Sequence, residues 1–207
     1  MKTMKKNGVA LIIIMLSVVF LISGSCALRS SPTTKFYILN PLEHPVVEKQ
    51  NVQEENCKTI GVGPLHLPGY LDRPEIVTRV NPNEFQLAEL DNWAEPLKES
   101  VTRVLAENIS RLICTQDVVI FPWKSSSHVD YQIDINIIWM DGKLGEKAIL
   151  ATQWSILDAS GKSVLLTNKS QYTESVTGTT YTALVAAYSR LIVNFSRDIV
   201  QSIKSLS

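Results

Sequence analysis

Two aspartates, three histidines and three cysteines are the side chains of this 207-residue sequence best equipped for chemistry. Asp130 and Asp134 flank one strand face two pleats apart, a spacing that suits paired carboxylates for acid–base work. Charges on a strand face are more commonly just solvated, and that is the reading adopted. His44, His66 and His128 fall in a tether, a strand and a linker, and none has a companion three or four residues on to complete a metal site. The sequence holds no G-x-S-x-G elbow, Gly-rich phosphate loop or C-x-x-C pair. Catalysis is not expected, nor is a metal or a cofactor. Asn108, Asn168 and Asn194 each open an N-x-S triplet, and all three are read as chance.

The thiols are more telling. Cys26 follows Ser23-Gly24-Ser25 at the end of an apolar run, Val9 to Ile22, interrupted only by Ser17, with Lys2, Lys5 and Lys6 ahead of it. A basic start, a short apolar stretch and small residues make a secretory signal peptide. The run is shorter than the roughly 20 residues a membrane-crossing helix needs. A cysteine directly after the small residues resembles the bacterial lipobox, in which the thiol is diacylated, the chain is cut before it and the new amino group is acylated. Residues 1–25 are then the signal peptide and Cys26 the first mature residue, carrying palmitate-type chains. Two or three such chains, at about 0.8 kcal/mol per buried methylene, hold a protein durably on a membrane. Ala27, where Asp would favour the inner membrane, points to the outer membrane, facing the periplasm of a Gram-negative cell. Cys57 and Cys114 remain. In an oxidising compartment they read either as a disulfide or as two buried thiols.

A third feature is the loop Leu67-Pro68-Gly69-Tyr70-Leu71-Asp72-Arg73-Pro74. Tyr and Arg are the residues that interfaces favour, and bracketing prolines lower the entropy lost on ordering. Leu67, Pro68, Tyr70, Leu71, Arg73 and Pro74 are therefore a candidate partner-docking surface. The competing reading folds Tyr70 and Leu71 back onto the core.

The elements that must position these residues follow from periodicity. Residues 26–56 form a tether rich in Ser, Pro, Glu and Gln, with one docking strand at Phe36–Leu39. A single domain over residues 57–207 follows. Strands are expected at Lys58–Leu67, Glu75–Val80, Glu84–Leu90 and Val118–Phe121. A meander follows, with Tyr131, Ile133, Ile135, Ile137 and Trp139 on one apolar face, a turn at Asp141-Gly142, then Lys147–Leu157 and Ser163–Thr173 joined through Asp158 to Gly161. Trp93, Leu97, Val101, Leu105, Ile109 and Leu112 recur at fours and threes, predicting a helix capped by Asp91 or Asn92 and starting near Pro96. Trp93 and Leu105 belong to its buried face. Tyr181 to Ile203 predicts a second helix capped by Thr179 or Thr180. The expected fold class is α+β, an antiparallel or mixed sheet of about seven strands with both helices on one face.

Composition agrees with one globular domain: 45% of residues are hydrophobic, and 20 basic balance 20 acidic side chains. Loss of Lys2, Lys5 and Lys6 with the signal peptide leaves 17 against 20, a net charge of −3. Nothing in that balance recruits nucleic acid.

Phe36-Tyr37-Ile38-Leu39, then IGVGPLHLPGYLDRPEIVTR (Ile60 to Arg79), DNWAEPLKESVTRVLAENISRL (Asp91 to Leu112) and VVIFPW (Val118 to Trp123) resemble the PqiC family of ABC-type transport auxiliary lipoproteins. The resemblance implies a non-enzymatic, periplasm-facing lipoprotein. Its implied partner is a membrane protein containing MCE domains, in lipid traffic between two membranes that supports envelope integrity. Association with further copies of the same chain is a related expectation. Two other readings compete: a lipoprotein activator of a cell-wall synthase, and a periplasmic lipid- or ligand-binding lipoprotein. The first needs long reach, and a flexible tether of some 30 residues spans only about 30 Å on average.

Overall fold

The computed structural model describes residues 33–43, 57–124 and 127–206. The chain divides into two units, Met1–Thr33 and Thr34–Ser207. The expected signal peptide, Cys26 and His44 lie outside the described residues.

The second unit is α+β, with eight strands in two sheets and two long helices. The strands are β1 (Lys35–Tyr37), β2 (Lys58–His66), β3 (Glu75–Asn81), β4 (Glu84–Trp93), β5 (Thr115–Ile120), β6 (Tyr131–Gly142), β7 (Lys147–Leu157) and β8 (Val164–Ser175); the helices are α1 (Leu97–Leu112) and α2 (Tyr181–Leu206). A three-stranded sheet has the order β1-β4-β3 and a five-stranded sheet the order β5-β2-β6-β7-β8. The hairpins β3/β4, β6/β7 and β7/β8 are antiparallel, while β1/β4, β2/β5 and β2/β6 are parallel.

The alternation on β7 makes the core: Ala148, Leu150, Thr152, Trp154 and Ile156 are all buried. They meet Ile133, Ile135 and Ile137 of β6, and the two helices lie side by side over this face, α1 over β2 and β5, α2 over β7 and β8. Leu97, Val101, Leu105 and Ile109 bury the predicted stripe of α1. Thr180 caps α2, its hydroxyl accepting the Ala183 amide at 3.2 Å.

Three local expectations are corrected. Helix α1 begins at Leu97 after Pro96, with no side-chain cap; Asp91, Asn92 and Trp93 finish β4. The cause is tertiary, because β1 pairs with that stretch in the register Lys35↔Asp91 to Tyr37↔Trp93 and holds it extended. Trp93 is buried nonetheless. The second correction concerns Trp139. The β6/β7 register shifts between Ile137 and Trp139, so a bulge inserts one residue and reverses the side-chain parity. Met140 takes the buried place and Trp139 is exposed. Third, Asp141-Gly142 is strand, and the turn comes after it, where Gly145 adopts φ +75°. Gly142 is needed for close approach: the side chains of Leu184 and Tyr188 fill the space a Cβ would occupy.

Candidate functional site

The loop between β2 and β3 is where the sequence placed a docking surface, and it divides into two parts. Its base is a 3-10 turn over Gly69–Leu71, closed by the Leu71 amide donating to the Pro68 carbonyl at 2.9 Å. Leu71 is buried in the main core, and Leu67 and Tyr70 pack against that core half-buried. The tip is outward: Asp72, Arg73 and Pro74 are exposed. Pro68 is half-buried at the entry to the turn.

Tyr70 organises a cluster that ties the two sheets together. Its hydroxyl donates to Asp141 Oδ1 at 2.7 Å, while Arg79 of β3 donates through Nε to Asp141 Oδ2 at 2.8 Å and approaches it again through Nη2 at 2.6 Å. The Tyr70 ring stacks on Phe85 with centroids 4.5 Å apart, and the Arg79 guanidinium lies 4.3 Å from the same ring. Arg79 Nη1 also donates to the Pro82 carbonyl at 2.8 Å. Burial, then the hydrogen bond to Asp141, pushes the Tyr70 phenol well above its ordinary value, so it remains a protonated donor at neutral pH. Both Asp141 oxygens are engaged, which leaves this carboxylate occupied as an acceptor rather than poised as a base. The cluster clasps the three-stranded sheet to the end of β6. An open groove of about 390 Å³ runs beside it, lined by Arg79, Val80, Pro82, Asp141, Lys147 and Ile149 among others.

The other sequence candidates are dispersed. Asp130 accepts the Thr59 amide at 2.8 Å and lies near Lys58 Nζ at 3.6 Å and His128 Nε2 at 3.5 Å; Asp134 is exposed. His66 is exposed at the end of β2. Among the described residues no group of His, Cys, Asp and Glu is arranged to hold a metal ion. Cys57 and Cys114 are joined in the structure, with Cα atoms 5.4 Å apart. Each immediately precedes one of two paired parallel strands, whose first partners are Lys58 and Thr115.

A polar anchor went unread in the sequence. Asn108, which opens an N-x-S triplet, is fully buried on α1; its Oδ1 accepts the Leu42 amide at 2.8 Å and its Nδ2 donates to Ser196 Oγ of α2 at 3.1 Å. The Asn40 amide donates to Ser189 Oγ at 3.1 Å, Arg111 donates to the Leu42 carbonyl, and Leu39 is buried. The segment after β1 is thus strapped to both helices. The signal was a polar residue on the apolar side of a helix pattern, which demands a partner the sequence does not name.

An α+β domain with a strapped N-terminal segment and a clasped pair of sheets is what these residues build. The chain belongs to the family of ABC-type transport auxiliary lipoprotein components, whose model matches residues 37–200. The match agrees with the resemblance to PqiC-like proteins. Among solved structures, an uncharacterized protein is similar at 16% identity with a TM-score of 0.66, covering 83% of this chain and 99% of that one. A Xanthomonas campestris protein of the DUF330 family is similar at 16% identity with a TM-score of 0.63, covering 84% and 100%. These likenesses concern the fold. No curated protein matches the sequence. Among the described residues no helix is long and apolar enough to cross a membrane. An auxiliary lipoprotein component of an ABC-type transport system is the class so defined.

Proposed function

We propose that this protein is a non-catalytic outer-membrane lipoprotein, anchored through acylated Cys26, that serves as the auxiliary subunit of a Pqi-like system moving lipid between the two membranes. The observation that carries the reading is the family match over most of the folded unit, joined to a cysteine placed directly after Ser23-Gly24-Ser25. The strap supports it in mechanical terms. Asn108, Ser189 and Arg111 grip the chain near residues 40–42, just beyond β1, so a load applied at a lipidated N-terminus that frees β1 is stopped there and passes into both helices.

The partner is an MCE-domain membrane protein. The exposed tip Asp72-Arg73-Pro74 is the part of the loop offered to it or to a sister copy, with Tyr70 and Leu71 holding the base. Affinity purification from detergent-solubilised membranes tests the reading. Recovery of an MCE-domain protein supports it. Recovery of a penicillin-binding protein instead would move the protein to the cell-wall synthase activators, and recovery of neither with bound lipid would favour a carrier.

A further inference from the structure

Strand β1 is an edge strand that turns apolar side chains to solvent. Tyr37 faces inward, its ring 6.5 Å from Tyr181 and its hydroxyl donating to Asp91 at 2.6 Å. Phe36 and Ile38 therefore point the other way, and they are 66% and 43% exposed, Phe36 more than any other large hydrophobic residue of the described chain. Exposing a phenylalanine to this degree forgoes its burial energy, and β1 shares its sheet with only β4 and β3.

Sequence position says what covers it. Phe36 is the tenth residue after Cys26. Even fully extended, ten residues reach no more than about 36 Å, so an acylated Cys26 keeps Phe36 within about one bilayer's thickness of the membrane. Arg29 and Lys35 are the charged residues of that stretch, and the first acidic side chain after Cys26 is Glu43. Resting on the lipid-anchor reading above, we infer that Phe36 and Ile38, with Lys35 beside them, contact the surface of the phospholipid bilayer that holds the acyl chains. Aromatic rings sit at the headgroup level, basic side chains meet anionic headgroups, and together they add a second attachment beside the lipid. The contact fixes which edge of the domain faces the membrane and leaves the loop tip at residues 72–74 free for a protein partner.

The test uses the full acylated protein in vesicles of phosphatidylethanolamine and phosphatidylglycerol, with brominated lipid as a shallow quencher. Phe36→Trp adds an indole at the proposed contact, and Leu165→Trp adds one on β8, at the edge of the other sheet. Emission is read as the difference from the parent protein, with fatty-acid labelling and vesicle flotation measured on the same samples. The expected result is quenching of the indole added by Phe36→Trp and none of that added by Leu165→Trp. A parent that neither labels nor floats removes the anchor reading and this contact with it. A parent that labels and floats, with the Phe36→Trp indole unquenched, overturns the membrane contact alone. The double variant Phe36→Ser, Ile38→Ser adds an independent readout. It should keep its label and thermal midpoint yet transfer between vesicles several-fold faster. Unchanged transfer with lowered recovery of an MCE-domain protein would assign the edge to that partner and overturn the contact.

Discussion

Tyr70 occupies the position where a docking residue was expected and uses its hydroxyl inside the protein. Asp141 draws one hydrogen bond from it and a two-pronged contact from Arg79, so the three side chains act as one unit with Phe85 as their floor. Removing the hydroxyl with Tyr70→Phe keeps the ring stack and deletes a hydrogen bond to a charged acceptor. The expected loss is about 1.5 to 3 kcal/mol, read as a lower urea midpoint at unchanged slope. Phenols also set the alkaline limit. Burial, first among its causes, raises the pKa of Tyr188, and burial followed by a hydrogen bond to Asp198 raises that of Tyr172. A folded-state phenol pKa above the unfolded value near 10 gives stability that is intact below pH 10 and is lost as the pH climbs past it. The part of the phenolate absorbance at 295 nm that is lost in a Tyr172→Phe, Tyr188→Phe variant should therefore rise late and together with unfolding. A gradual rise of that part in a still-folded protein would show that these two tyrosines are open to solvent.

At the scale of elements, the amphipathic stripe of α1 and the meander β6–β7–β8 were legible because each repeats its signal several times within one segment. Leu105, fully buried, should cost about 2 to 5 kcal/mol as Leu105→Ala, and an unchanged thermal midpoint would put another face of α1 inward. What the sequence hid was set from a distance. Asp91 and Asn92 have the chemistry of helix caps, yet β1, more than fifty residues upstream, recruits them into a sheet. Trp139 fits the apolar alternation until a bulge reverses it. Asn108 stood out only as a chance N-x-S triplet and is the centre of the strap. Asn108→Leu leaves the Leu42 amide without its acceptor, a cost of about 1 to 3 kcal/mol, and loosens the strap before the rest. The expected signature is a new tryptic cleavage after Lys35 at temperatures where α1 and α2 remain helical by circular dichroism. Cleavage spread evenly over the domain would mean that the strap and the core unfold as one.

Across the whole molecule, the loop-docking candidates separated into a buried base and an exposed tip because one loop has to close onto a core while spanning two sheets. The cysteine pair shows the same limit of sequence reading: a separation of 57 residues says nothing about adjacency until β2 and β5 are known to run side by side. Joined there, the two thiols close a long loop, and the chain-entropy account gives roughly 4 kcal/mol. Dithiothreitol, or Cys57→Ser with Cys114→Ser, should lower the denaturant midpoint by that order and retard the chain on a non-reducing gel. A midpoint indifferent to reductant would mean that the pair is unbonded in solution.

The order of the five-stranded sheet bears on when the chain can fold. Strand β2 lies between β5 and β6, both parallel to it and both far later in the sequence, and the face they build is covered in part by α2, the last element of all. A polypeptide emerging from its N-terminus has its central strand out well before that strand's neighbours β5 and β6, and the cover that α2 gives β7 and β8 comes later still. Loop closure over such separations is slow. The first half of the chain holds β2 without either of its sheet partners, so the five-stranded sheet closes only after the second half is free.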